Sequence, residues 1–267
     1  MPALHSPDAI FSARHLPSWL MLTFAAGCVN ATAVLACDRF VTHVTGTVTR
    51  IGMDLANLAL LLDLLLVLTC FIGGAMVSGL LINARASAGK RPWFALPLLG
   101  VALIDITVAV LGWLGWFGPF GQAIDQNSDF WMLALLSFSM GLQNGAVATS
   151  TGMLVRTTHL TGPSTDLGIH LAELTFLSGP ARTRAGQHAL LRFGKIMAFA
   201  CGAALPIAVV SRTGHLVLLV PAAITLLAMW TSFYYSDEAI ARRLARRSPD
   251  AARKLLTDRL HTDPYVE

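Results

Sequence analysis

Residues 42–56 read THVTGTVTRIGMDLA, and residues 158–172 read THLTGPSTDLGIHLA. The two stretches are identical at eight positions with a constant offset of 116 residues, and both contain the motif Thr-His-x-Thr-Gly. Upstream, the pattern Gly-x-x-Asn occurs at 27–30 and again at 141–144. Long-range similarity of this kind indicates an internal duplication, which constrains the whole fold. We therefore expect two halves of the same architecture.

The composition around these repeats is that of a membrane protein. Of the 267 residues, 55% are apolar and only 13% are charged, and the mean hydropathy is +0.63. A soluble domain has about 25% charged residues. The formal net charge of +4 does not indicate nucleic-acid binding, because the basic residues cluster at the ends of apolar runs and in the C-terminal tail. The four cysteines show no ligand spacing, so we expect neither a disulfide nor a metal site.

Six apolar runs approach the length of about 20 residues that a transmembrane helix needs. They lie at about 18–37, 58–82, 94–117, 130–151, 190–211 and 215–235. Trp and Tyr residues fall near the proposed ends, where their rings favour the headgroup layer. The short connection between the last two runs predicts a tight hairpin that joins antiparallel neighbours.

The basic residues predict the orientation of these spans, because cytoplasmic flanks are rich in Lys and Arg. With both termini in the cytoplasm, all 19 Lys and Arg residues lie on the inner side except Arg39, Arg50 and Arg212. The loop at 118–129 contains two Asp residues and no basic residue, which fits the outer side. The basic tail also favours contact with anionic lipid.

Each half then contains three spans, and because three is odd, the second half is inverted relative to the first. The predicted fold is all-α: a polytopic membrane protein of six transmembrane helices, built from two inverted three-helix repeats with broken Thr-His-x-Thr-Gly segments. The chain divides into a cytoplasmic tail at 1–17, a first repeat at 18–117, an external loop at 118–129, a second repeat at 130–235 and a basic cytoplasmic tail at 236–267.

The same motifs resemble the YoaK-like family of bacterial inner-membrane proteins, also called domain of unknown function 1275. The resemblance covers about residues 18–235, and its most specific part is the run from Arg156 to Gly168. The family usually has Asp at the position of Asn30 and Asn at the position of Thr47. The resemblance implies a six-span protein of the bacterial inner (cytoplasmic) membrane with no assigned activity.

The duplicated Thr-His-x-Thr-Gly segments provide the first candidate binding residues. Thr followed by Gly and a helical pattern predicts a broken turn in which Thr caps a new helix. The unpaired N–H groups at such a helix start attract anions or polar solutes, and the Thr hydroxyls add ligands. The alternative is that these residues only cap interfacial helices. The candidates are Thr45, Gly46, Thr47, Thr161, Gly162 and Thr165.

Ionisable residues near or within the spans are the second group of candidates. His43 and His159 occupy equivalent positions and suit proton coupling, with a structural capping role as the alternative. Asp105 lies in the middle of the third span, where a lone carboxylate is costly and usually faces a cavity or a partner. Arg156 and Asp166 flank the second segment, and either they pair or Arg156 neutralises an anionic solute.

Amide side chains precede both broken segments. Asn30 lies on the first span, and Asn144 with its neighbour Gln143 lies on the fourth. Amides within bilayers often serve only to hold helices together. Their pairing by the repeat nevertheless favours a shared central site.

These features together predict a transporter or facilitator of a small polar or anionic solute, bound where the two segments meet. A non-transporting membrane scaffold or sensor is the first alternative, and an intramembrane enzyme acting on a lipid or quinone is the second. The sequence has no nucleophile motif, and we expect neither a catalytic residue nor a cofactor. The expected partners are the lipid bilayer, the solute and, because six spans are few for a carrier, a second copy of the chain.

Overall fold

A computed structural model describes residues 4–5, 10–12, 15–53, 55–90, 92–121 and 127–234. All regular structure within these ranges is helical. The predicted basic tail at 236–267 lies outside the described residues, as do most of the N-terminal tail and the centre of the predicted external loop.

The helices follow one another with short connections. In chain order they are α1 (Leu16–Cys37), α2 (Val44–Met53), α3 (Leu58–Gly79), α4 (Ala95–Trp113), α5 (Asn127–Ser150), α6 (Thr161–Phe176), α7 (Gly179–Thr213) and α8 (Leu219–Met229). A π-helical turn, Leu80–Ala84, and a last turn, Arg85–Ser87, extend α3. A 3₁₀ turn, Gly214–Leu218, joins α7 to α8, and a π-helical turn, Trp230–Tyr234, ends the described chain.

Five stretches of the described chain are long and apolar enough to cross a membrane, which identifies a multi-pass membrane protein. They are Leu16–Cys37, Leu60–Ser87, Ala95–Trp113, Phe130–Ser150 and Gly179–Phe233. The last stretch contains 55 residues and includes both α7 and α8. Gly214 interrupts it with a φ of +52°, a backbone conformation that glycine adopts without steric cost.

Helix boundaries differ most from prediction at α7. The apolar pattern predicts a span from about residue 190, but the helix already begins at Gly179. Pro180 lies in its first turn, where a missing N–H is harmless. The additional turns pack against α6. A polar helix segment is stable there because a neighbouring helix buries part of its surface.

Two backbone crossings hold the bundle together, and both use the pattern Phe-x-x-Gly on each helix. In the first, Gly27 of α1 lies against the Phe199 carbonyl of α7, and Gly202 lies against the Phe24 carbonyl. A Cβ atom at either glycine would collide with the opposing backbone. Small residues of this kind allow helices in membranes to approach closely.

The second crossing repeats the first with equivalent residues. Gly141 of α5 lies against the Phe71 carbonyl of α3, and Gly74 lies against the Phe138 carbonyl. The remaining contacts follow the same scheme, since α4 packs on α5 as α8 packs on α1. Each crossing therefore joins a helix from the N-terminal half of the chain to one from the C-terminal half.

Replacement of Gly74 by Ala tests the close approach of α3 and α5. The added methyl group must displace backbone of α5, which costs about 1–3 kcal/mol. We expect the Tm in detergent to fall by about 2–10 °C. Gly79→Ala, at the end of the same helix, meets no atom within 4 Å and is the matched control. Equal Tm values for the two variants would contradict the crossing.

Candidate functional site

Both Thr-His-x-Thr-Gly segments open onto one central cavity of about 590 Å³. The cavity lies between the two halves of the chain. Its lining residues are Asn30, Phe40, Thr42, His43, Val44, Thr45, Phe71, Asn144, Arg156, Thr158, His159, Leu160, Thr161 and Phe199.

Every residue of this lining has its counterpart in the same lining. The counterparts are Asn30 and Asn144, Phe40 and Arg156, Thr42 and Thr158, His43 and His159, Val44 and Leu160, Thr45 and Thr161, and Phe71 and Phe199. Positions 40–49 and 156–165 also share the same degree of burial at each position. The two segments therefore present the same faces to the cavity.

The paired amides position the segments. The Asn30 Oδ1 atom accepts hydrogen bonds from the backbone N–H groups of Val41 and Thr42, both at 3.1 Å. The Asn144 Oδ1 atom accepts from the Thr158 N–H at 3.4 Å. Each amide thus ties a long helix to the chain that enters the broken segment. This explains the spacing between the Gly-x-x-Asn and Thr-His patterns.

The histidine rings leave no space for a side chain at the glycine of each motif. The His43 ring lies where a Cβ atom of Gly46 would be, and the His159 Cε1 atom lies 2.8 Å from the same point on Gly162. Each ring thus rests on the first turn of the helix that follows. Any larger residue after the second Thr would push the ring away from the cavity.

The predicted role of Thr as helix cap is wrong. Helix α2 begins at Val44 and α6 at Thr161, so that Thr45 and Thr161 lie inside the first turn. Leu160 is the N-cap residue of α6 and makes no side-chain cap bond. The capping prediction failed because both helices start earlier than the motif suggests. The first turns of both helices nevertheless line the cavity and contribute their partial positive charge.

Two predicted hydroxyl ligands are used within their own helices. The Thr47 hydroxyl donates to the His43 carbonyl at 3.0 Å, and the Thr165 hydroxyl donates to the Thr161 carbonyl at 3.3 Å. Neither residue lines the central cavity. Thr47 and Gly46 line a second cavity, of about 400 Å³, on the other side of α2.

Arg156 does not pair with Asp166, contrary to one of the two predicted arrangements. Asp166 accepts instead from Arg192 Nε at 3.2 Å, which links α6 to α7. Burial, with the positive charges of Arg156 and then Lys195, lowers the pKa of His159, while Asp166 opposes this effect. His159 is therefore neutral at pH 7, and Arg156 supplies the positive charge of the lining.

A comparison with family models now identifies the chain. The model described as "Protein of unknown function (DUF1275)" matches residues 18–231. The chain belongs to the DUF1275 family. The match covers both crossings and the entire cavity lining. No curated protein and no solved structure matches the chain.

Two other predicted site residues of this DUF1275 protein lie away from the cavity lining. Asp105 is fully buried between α4 and α5, where its Oδ1 atom accepts from the Ser139 hydroxyl at 2.9 Å. Gln143 donates through Nε2 to the Leu22 carbonyl at 2.9 Å and to the Thr157 hydroxyl at 3.0 Å. Both side chains connect helices or segments behind the site.

Sequence analysis missed part of the lining. Thr42 and Thr158 are among the eight identical positions of the repeat, which was a sufficient signal for them. Phe71 and Phe199 belong to the duplicated Phe-x-x-Gly pattern, which a search beyond the Thr-His segments would have found. Among the described residues, no group of three or more His, Cys, Asp or Glu side chains could hold a metal ion.

Replacement of Asn30 by Ala tests the amide clamp. The change leaves the buried N–H groups of Val41 and Thr42 without their acceptor, which costs about 1–3 kcal/mol for each group. Asn30→Asp keeps an acceptor oxygen at the same place and should retain most of the stability. Thermal unfolding in detergent distinguishes the two variants. An Ala variant as stable as the wild type would show that Asn30 does not hold the segment.

Proposed function

We propose that this DUF1275 protein is a transporter or facilitator of a small polar or anionic solute, and that the central cavity is its binding site. The observation that supports this proposal is the composition of the lining, in which every residue has a counterpart from the other half of the chain. A binding site that opens to only one side of the membrane would not need a duplicated lining.

We further propose six membrane crossings, with α7 and α8 as separate antiparallel spans. The Ser18 hydroxyl at the start of α1 lies 3.0 Å from the Thr231 hydroxyl beyond α8. At the other end, Gly112 of α4 lies against the His215 ring just before α8. These contacts support an α8 that runs from the end of α4 back to the start of α1.

Six crossings divide into two three-span halves of opposite orientation. Inverted halves of this kind are typical of secondary transporters, in which broken helices meet near the membrane midplane and the two halves exchange roles as the site alternates between the two sides. The helices α2 and α6 are the broken elements here, since each follows a turn and begins at the cavity.

We also propose where the protein lies in the cell and that it associates with a second copy. The distribution of Lys and Arg supports an inner-membrane protein with both termini in the cytoplasm. A bundle of six spans is small for a carrier, and association with a second copy would enlarge the buried surface around the site.

Binding and transport test this function with conservative variants. A thermal-shift screen of the purified protein against metabolites and inorganic ions finds solutes that bind the folded state, because such binding raises the Tm. Thr45→Val and Thr161→Val each remove one cavity hydroxyl and should weaken binding of the solute about two- to tenfold. Thr165→Val, outside the lining on α6, is the control and should bind normally.

Uptake of the same solute into proteoliposomes then separates transport from sensing. We expect accumulation with the wild type and the control, and slower uptake with the two cavity variants at solute concentrations below saturation. A solute that stabilises the protein but is not carried would favour a sensor. Unchanged binding in both cavity variants would contradict the location of the site.

A further inference from the structure

We propose that the solute is an organic monoanion, a carboxylate with an apolar body, and that Arg156 binds its charged group. This inference rests on the proposed function of the central cavity. The proposed function covers any small polar or anionic solute, and this inference narrows the solute to one chemical class.

The lining of the central cavity is positively charged. Among the described residues of this lining, Arg156 is the one Arg or Lys, and none is Asp or Glu. The first turns of α2 and α6 add partial positive charge at the same place. A cation would meet repulsion and no counter-charge in this cavity, whereas an anion is attracted from three directions.

Arg156 is available to a ligand. Its side chain is exposed to the cavity and makes no hydrogen bond or ion pair with any residue that the structure describes. Other arginines near the two segments are engaged, since Arg39 pairs with Asp63 at 3.3 Å and Arg192 with Asp166 at 3.2 Å. Arg156 therefore remains free to bind a ligand.

A second positive charge is buried near Arg156. Lys195 is only 2% exposed and makes no hydrogen bond or ion pair with a described residue. Its charge and that of Arg156 both act on His159 in the lining, and Asp166 opposes them there. Asp166 is already bound to Arg192. Burial of a lysine is costly, and an anion in the cavity would offset that cost.

The basic side chains around the second segment have apolar counterparts in the first half. At the offset of 116, the counterpart of Arg156 is Phe40. Alignment of Phe71 with Phe199 makes Leu64 and Val67 the counterparts of Arg192 and Lys195. Phe40, Leu64 and Val67 line the second cavity, of about 400 Å³. Three positions around the second segment are therefore basic where the first half has apolar residues, whereas Arg39 and Arg50 are the arginines that line the second cavity.

The apolar part of the ligand follows from the rest of the lining. Phe40, Phe71, Phe199, Val44 and Leu160 provide rings and branched side chains on both sides of the cavity. A carboxylate matches the planar fork of a guanidinium, which can donate two parallel hydrogen bonds to its two oxygens. The lining therefore suits a carboxylate whose body packs between the phenylalanine rings.

Benzoate and benzamide form a matched pair of probes, because they have nearly the same shape and differ in charge. Titration calorimetry of the full-length protein in detergent measures both affinities. We expect benzoate to bind at least about tenfold more tightly than benzamide. Arg156→Gln should weaken benzoate about ten- to hundredfold and leave benzamide unchanged. Arg182→Gln, at an exposed position of α7, is the control for general surface charge.

Moving the guanidinium to the equivalent position of the lining controls for any loss of stability that Arg156→Gln causes. The double variant Arg156→Phe with Phe40→Arg moves the guanidinium to the equivalent position of the same lining. We expect it to recover most of the affinity for benzoate that Arg156→Phe alone loses. Failure of the folded double variant to recover any affinity would overturn the role of Arg156.

The outcomes also separate this inference from the proposed function. Equal affinity for both compounds, weakened in both cases by Thr161→Val, would show that the cavity binds a solute without reading its charge; the anion proposal would then fail and the proposed function would stand. Binding of neither compound, with no hit in the wider screen, would overturn both.

Discussion

The rest of this structure depends on the close approach of helix backbones at the two Phe-x-x-Gly crossings. Gly27 and Gly202 bring α1 and α7 into backbone contact, and Gly141 and Gly74 do the same for α5 and α3. In hydrocarbon, apolar side chains gain little by leaving lipid, so tight van der Waals packing of this kind supplies much of the association between helices. The crossings also connect directly to the cavity, because the carbonyls of Phe71 and Phe199 each contact a glycine and both residues line the cavity.

The crossings, the amides and the histidines form one continuous arrangement. Asn30 lies one helical turn beyond Gly27, and its oxygen holds the backbone that leads to His43. The ring of His43 then rests on the first turn of α2 at Gly46. The same order holds in the other half. A change in the angle of either crossing would therefore move the start of a broken helix, which is the kind of linkage that alternation between two sides of a membrane requires.

Sequence alone predicted the duplication, the apolar runs and the meeting of the two Thr-His segments, because each leaves a regular or repeated signal. It did not predict the partner of Asp166, since spacing along the chain does not show which face of α6 packs on α7. It also predicted that Thr45 and Thr161 precede their helices as caps, whereas both residues lie in the first helical turn. Asp105 was expected to face a cavity or a partner, but the sequence did not show that the partner would be the Ser139 hydroxyl on α5. Local patterns thus identified many residues that line the cavity, whereas pairings between distant helices needed the fold.

The interlocking of the two halves has a consequence for biosynthesis. Helix α1 is two-thirds buried, and its most extensive contacts are with α7. At translation rates of about 5–20 residues per second, α1 is complete many seconds before α7 leaves the ribosome. Neither half can form its packed core without the other, because each crossing joins helices from both halves. The glycine faces of the early helices therefore lack their packing partners until late in synthesis. The bundle can assemble only after α7 has been inserted.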